Sequence, residues 1–86
     1  MKSSNYLLEC CVDSAYSARM AKKGGADRLE LCSNLVIGGT TPTLALYEQI
    51  RNQTDIRIHV LIRPRFGDFL YSEDETALIC KEIDAF

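Results

Sequence analysis

No run of apolar residues in this 86-residue chain approaches the roughly 18 that a membrane-spanning helix needs. A helical span is therefore not expected. Met1-Lys2-Ser3-Ser4-Asn5 lacks the apolar core of an export signal. Positive charge is not in excess: ten lysines and arginines face twelve acids, for a net charge of -2. They are scattered, which excludes general nucleic-acid binding. There is no C-x-x-C pair, so a zinc or thioredoxin-type site is not expected. No glycine fingerprint follows the first strand-like segment, only Asp13-Ser14-Ala15, which argues against a dinucleotide-binding turn. Cysteine, at four residues, is not scarce. Yet Cys10, Cys11 and Cys32 sit in apolar, strand-like runs rather than loops. With no export signal they read as reduced thiols of a cytosolic protein.

The stretch that is most informative is residues 56–71, IRIHVLIRPRFGDFLY. Ile56, Ile58, Val60 and Ile62 share one face at period two; Arg57, His59, Leu61 and Arg63 share the other. One face suits covering helices and the other a polar interior. Pro64 cannot donate to a sheet ladder, so the strand is expected to stop near it. Arg63 and Arg65 then lie at the strand's C-terminal end, where parallel α/β proteins build their sites.

The rest of the chain repeats this pattern. Residues 6–13, YLLECCVD, predict a strand with Leu8, Cys10 and Val12 on one face and Glu9, Cys11 and Asp13 on the other. Ser14 caps a predicted helix over residues 15–23 with Tyr16, Met20 and Ala21 inward; Lys22 and Lys23 suit its last turn and Gly24-Gly25 its end. Residues 27–33, DRLELCS, predict a second strand, with Leu29 and Leu31 opposite Arg28, Glu30 and Cys32. A loop over 34–41 follows, centred on Gly38-Gly39. Thr41 then caps a second helix with Pro42 at its first position, and Leu44, Leu46, Tyr47 and Ile50 supply the buried face. Ser72-Glu73-Asp74-Glu75 is a capping box for a third helix, which carries Leu78, Ile79 and Ile83 on one face.

The order βαβαβα implies parallel strands with right-handed crossovers. All three strands are apolar on one face and charged or sulfur-bearing on the other. A doubly wound sheet wants both faces apolar; a barrel's inner face can turn polar near its mouth. The fold class expected is therefore α/β, the first three units of a TIM-type (β/α)8 barrel. Three units do not close a barrel, so residues 1–86 read as a single partial domain of a larger protein, with self-association to cover open strand edges.

The runs LLECCVDS, GGADRLELCS, GGTTPT and HVLIRPRFGDFLYS, in this order and spacing, resemble the N-terminal part of the CutC family. IRPR-x-GDF-x-YS is the sharpest of them. One departure is Phe66, where the family usually has the first glycine of RPRGGDF; phenylalanine does not take a positive φ cheaply. The resemblance implies a cytosolic (β/α) barrel concerned with copper homeostasis, dimeric, with a Cu(I) site whose two cysteines correspond to Cys11 and Cys32.

Each candidate site has two readings. Cys11 and Cys32 fall on the polar face of neighbouring strands about 4.8 Å apart. Soft thiolates there suit Cu(I), which accepts two ligands in a line; equally, free cysteines are common interior fillers. Glu9, Asp13, Arg28 and Glu30 put charge on the same face. They form a structural ion-pair layer, or Glu9 or Glu30 serves as a general acid or base. His59 is a proton carrier or a satisfied interior residue. Arg63 needs an anion, either Asp68 or a phosphate or carboxylate ligand. Arg65 is a second anion contact, or is solvated or paired to Asp68. The Gly38-Gly39-Thr40-Thr41-Pro42 loop is a weak anion signal that a turn and a helix cap explain. Two functions follow: a cytosolic Cu(I)-binding protein, or a barrel enzyme acting on a small anionic substrate.

Overall fold

The structure is a computed structural model that describes residues 6–86; the N-terminal pentapeptide read above lies outside them. Three strands, β1 (Glu9–Val12), β2 (Arg28–Leu31) and β3 (Arg57–Val60), alternate with α1 (Ala15–Lys23), α2 (Leu44–Arg51) and α3 (Glu73–Ala85). All pairings are parallel, in the order β1-β2-β3. The βαβαβα order and the parallel sheet are those the sequence implied.

The period-two alternation decides which face is covered. Val12, Leu29 and Leu31 from the strands, Ala18 from α1 and Ile50 from α2 form the core, each 3% exposed or less. Cys10, Ile56, Ile58, Leu46 and Tyr47 pack round it. Ser14 caps α1 with its hydroxyl accepting from the Ser17 amide at 3.0 Å. Ser72 caps α3 in the same way, and the Glu75 carboxylate accepts from the Ser72 amide at 2.8 Å. No helix among the described residues is long and apolar enough to cross a membrane.

Four expectations are corrected. α1 does not turn Tyr16 inward: Tyr16 is 64% exposed and Met20 is also exposed, while Ala15, Ala18 and Ala21 face the sheet. Small side chains let the helix lie close, and a large one on that stripe would hold it off. The second helix begins two residues late, at Leu44, capped by Thr43, whose hydroxyl accepts from the Leu46 amide at 3.1 Å. Thr41 is unavailable as a cap because its hydroxyl accepts from the Arg63 amide at 2.8 Å. Leu44 is correspondingly exposed. On α3, Leu78 and Ile83 are exposed and no residue is buried. Its ties to the rest include an edge-on contact of Tyr47 with Phe86, ring centroids 5.7 Å apart. β3 ends at Val60, although the Leu61 amide still donates to the Leu31 carbonyl at 2.9 Å.

Candidate functional site

The parallel register stacks the uncovered face in rows. Glu9, Arg28 and Arg57 form the first; Cys11, Glu30 and His59 form the second. One step further, the Cys32 amide donates to the Val12 carbonyl at 3.0 Å, which places Cys32 beyond the end of β2. Cys32 is thus diagonal to Cys11 on the neighbouring strand, a Cα separation of about 8 Å from strand spacing and rise.

In the first row, Arg28 Nε donates to Glu9 Oε2 at 2.6 Å. His59 Nδ1 lies 3.7 Å from the same oxygen, an ion pair only when the imidazole is protonated. All three side chains are partly open to solvent. In the second row, the Cys11 thiol donates to Glu30 Oε1 at 3.5 Å. Glu9, Glu30 and His59, the three candidate acid-base groups, therefore share one face with both cysteines.

The two thiols differ in access. Cys11 is exposed and Cys32 only 1% exposed, its thiol directed at the Val12 carbonyl, 3.6 Å away. Partial desolvation of the sulfur raises the Cys11 pKa even though the residue is exposed, helped by the bond to Glu30 and its charge. Burial also pushes the Cys32 thiol up to about 11, with the charges of Cys11, Glu30 and Asp13 adding to it. A raised thiol pKa means the folded state prefers the protonated form. The stability this contributes is present below the ordinary thiol pKa and fades as pH climbs from about 9 to about 11. Urea midpoints are expected to fall across that window in the wild type and to fall less in Cys32→Ala; equal slopes would contradict the assignment. Cys10 packs on the helix side, while Cys80 on α3 is exposed.

Arg63 and Arg65 lie beyond β3, at the C-terminal ends of the strands. The anion expected opposite Arg63 is replaced by carbonyls. Nη1 donates to Gly39 O at 2.9 Å and Ile37 O at 3.3 Å, and Nη2 to Gly67 O at 3.1 Å. The Phe69 ring lies 5.4 Å from the guanidinium carbon. Nε is buried with no hydrogen-bond partner. Arg65 is paired with Glu75 through Nε and Nη2, and with Asp68 Oδ1 at 3.4 Å. That pairing holds the Glu75 carboxyl below the usual range and raises Arg65. Phe66 stays out of the left-handed region and is exposed; Gly67 takes φ +100° instead.

Gly39 is the residue that sequence reasoning undervalued. It has φ +93°, and a Cβ there would stand 2.9 Å from Leu61 Cδ2 and 3.5 Å from the Cys32 sulfur. Its signal is the Gly38-Gly39 pair, which by sequence reads as a weak anion signal or as a turn with a helix cap, not as a close approach. Among the described residues no group of three or more His, Cys, Asp and Glu side chains is arranged to hold a metal ion. A groove of about 440 Å³ between α1 and α2, floored by Ala18 and Ile50, opens on the helix side, away from the cysteines.

Consecutive parallel βα units, apolar toward the helices and polar on the other face, define a segment of a TIM-type barrel. The chain belongs to the CutC family, whose model matches residues 6–86. It is 47% identical over 81 residues to the human copper homeostasis protein cutC homolog, covering 94% of this chain and 30% of that one. It is 49% identical over 76 residues to the family protein CutC of Porphyromonas gingivalis, 88% of this chain and 31% of that one. The crystal structure of CutC from Streptococcus agalactiae superposes with a TM-score of 0.79 at 31% identity, over 93% of this chain and 40% of that one. The chain therefore spans about a third of the length of the curated relatives it matches.

Proposed function

We propose that these residues form the N-terminal part of a CutC-like barrel, and that the protein serves copper homeostasis by binding Cu(I) through Cys11 and Cys32. The observation that carries this reading is the strand parity: it sets Cys11 in β1, and Cys32 just past the end of β2, on the same face as the carboxylates of Glu9 and Glu30, with Cys11 open and Cys32 buried. Soft sulfur ligands suit Cu(I), and nearby negative charge favours a cation. The names of the relatives point the same way. A cytoplasmic location and a homo-oligomer belong to the same proposal.

The enzyme reading has less support. It needs Arg63 and Arg65 free to hold a phosphate or carboxylate. Arg65 is engaged by Glu75 and Asp68, and Arg63 by three carbonyls, which leaves Arg63 Nε as the guanidinium's buried unpaired donor.

An anaerobic competition titration against a chromophoric Cu(I) chelator tests the copper reading. One ion per chain is expected for the wild type, with a loss of affinity of at least about a hundredfold in Cys11→Ser/Cys32→Ser, since a hydroxyl is a poor ligand for a soft ion. Weak binding, or binding that survives both substitutions, would overturn it.

A further inference from the structure

We propose that Arg63 is the clasp of a cover over Cys32: its guanidinium holds the loop of residues 34–40 down on the sulfur, and its release opens the thiol to a soft metal ion. The link to a metal rests on the copper reading; the cover itself does not.

The loop leaves β2 just past Cys32 and returns at Thr40, where Ser33 and Thr40 exchange backbone hydrogen bonds of 2.9 and 2.7 Å. Asn34 Nδ2 donates to Thr40 Oγ1 at 2.9 Å across its neck. Its apex turns on three positive φ angles, 54° at Asn34 and 93° at Gly38 and Gly39. The last of these lays Gly39 over Cys32: a Cβ there would stand in ordinary contact with the sulfur at 3.5 Å and would crowd Leu61 Cδ2 at 2.9 Å.

What holds the apex down is largely polar. Val36 is 94% exposed, and Leu35 and Ile37 are 37% and 45% exposed, so apolar burial anchors the apex only in part. The anchor is Arg63, which reaches Ile37 O and Gly39 O in the loop and Gly67 O in the loop after β3. One side chain thus ties the loops that follow two adjacent strands. The backbone of Arg63 is fixed separately: its amide donates to Thr41 Oγ1 at 2.8 Å, and its carbonyl accepts from the Thr41 amide at 3.0 Å. The guanidinium can let go without moving the strand. Its Nε is buried and unpaired, which weighs against the closed form. A segment held by a few hydrogen bonds and little apolar contact opens locally, without global unfolding.

The asymmetry of the thiols then has an order. Cys11 stands exposed and Cys32 covered on the same face. An arriving ion meets Cys11 first and reaches Cys32 only when the loop lifts.

The test is alkylation of the chain by iodoacetamide without metal, with each cysteine read by peptide mass spectrometry. Cys11 and Cys80 are expected to react fast and Cys32 slowly. Arg63→Ala is expected to speed Cys32 by about tenfold or more, the change that loss of one or two hydrogen bonds gives an opening equilibrium, with Cys80 unchanged. Arg63→Lys, which keeps the charge but cannot span three carbonyls, is expected to fall between. Gly38→Ala reaches the clasp from the loop side, because its Cβ would stand 3.0 Å from Arg63 Nη1; it too is expected to speed Cys32.

Equal Cys32 rates in wild type and Arg63→Ala would overturn the cover. Should Arg63→Ala deprotect the core-packed Cys10 together with Cys32, the chain has unfolded and the other two variants decide. Failure of both to speed Cys32 alone overturns the proposal. Stopped-flow transfer of Cu(I) from a chromophoric chelator separates the two readings. Faster loading at unchanged stoichiometry in Arg63→Lys supports both. Absence of Cu(I) binding with a preserved alkylation response overturns the copper reading and leaves the cover standing.

Discussion

Leu31→Ala is expected to lower the unfolding free energy by about 2–5 kcal/mol, the usual cost of emptying a buried leucine site. Leu31 lies in the central strand, 0% exposed, in register between Val12 and Val60. Its neighbours come from two strands and two helices, so the cavity has no single wall free to collapse into it. For a domain of this size the loss is comparable with the whole stability, about 5 kcal/mol. Urea denaturation followed by far-UV circular dichroism reads it as a large fall in midpoint or as loss of the cooperative transition. Val36→Ala is the control: at 94% exposed it is expected to change stability by less than about 0.5 kcal/mol. A loss below about 1 kcal/mol for Leu31→Ala would mean that the strands do not share a packed core.

Gly39→Ala is expected to cost about 1–3 kcal/mol, from strain and overpacking together. The strain comes from φ +93°. The overpacking comes from a methyl placed 2.9 Å from Leu61 Cδ2. Gly67→Ala separates the two effects. Its φ of +100° is equally unsuited to alanine, but its nearest neighbour is Arg65 Nη1 at 3.6 Å, an ordinary contact. It is expected to cost about 1 kcal/mol, from strain alone. Equal losses at the two glycines would show that the contact with Leu61 carries no weight.

What the sequence made legible was the part that repeats. Period-two alternation placed Val12, Leu29, Leu31 and Ile58 against helices and Cys11, Glu30 and His59 on the opposite face. The Ser72–Glu75 capping box is a local device, and it was readable because both partners lie within one turn. What failed depended on distant partners. Thr41 looks as good a cap as Thr43 until Arg63 takes its hydroxyl. Tyr16 and Met20 look like core residues on size, yet alanines face the sheet because the space under α1 is narrow. For the site, the shared face of Cys11 and Cys32 followed from strand parity. That one thiol is open and the other covered did not follow, because the cover is a loop whose course turns on the left-handed angles of Asn34, Gly38 and Gly39. Arg63 was singled out for its position, but its partners are carbonyls, which leave no mark in a side-chain sequence.

The strand order β1-β2-β3 has a consequence for how the molecule is made. Each strand pairs with its immediate predecessor in the chain, and each intervening helix covers the pair just formed. A nascent chain leaving the ribosome carries every partner it needs for the next step already behind it. Assembly can therefore keep pace with synthesis, one βα unit at a time, and sequence-local closure keeps the entropic cost of each step low.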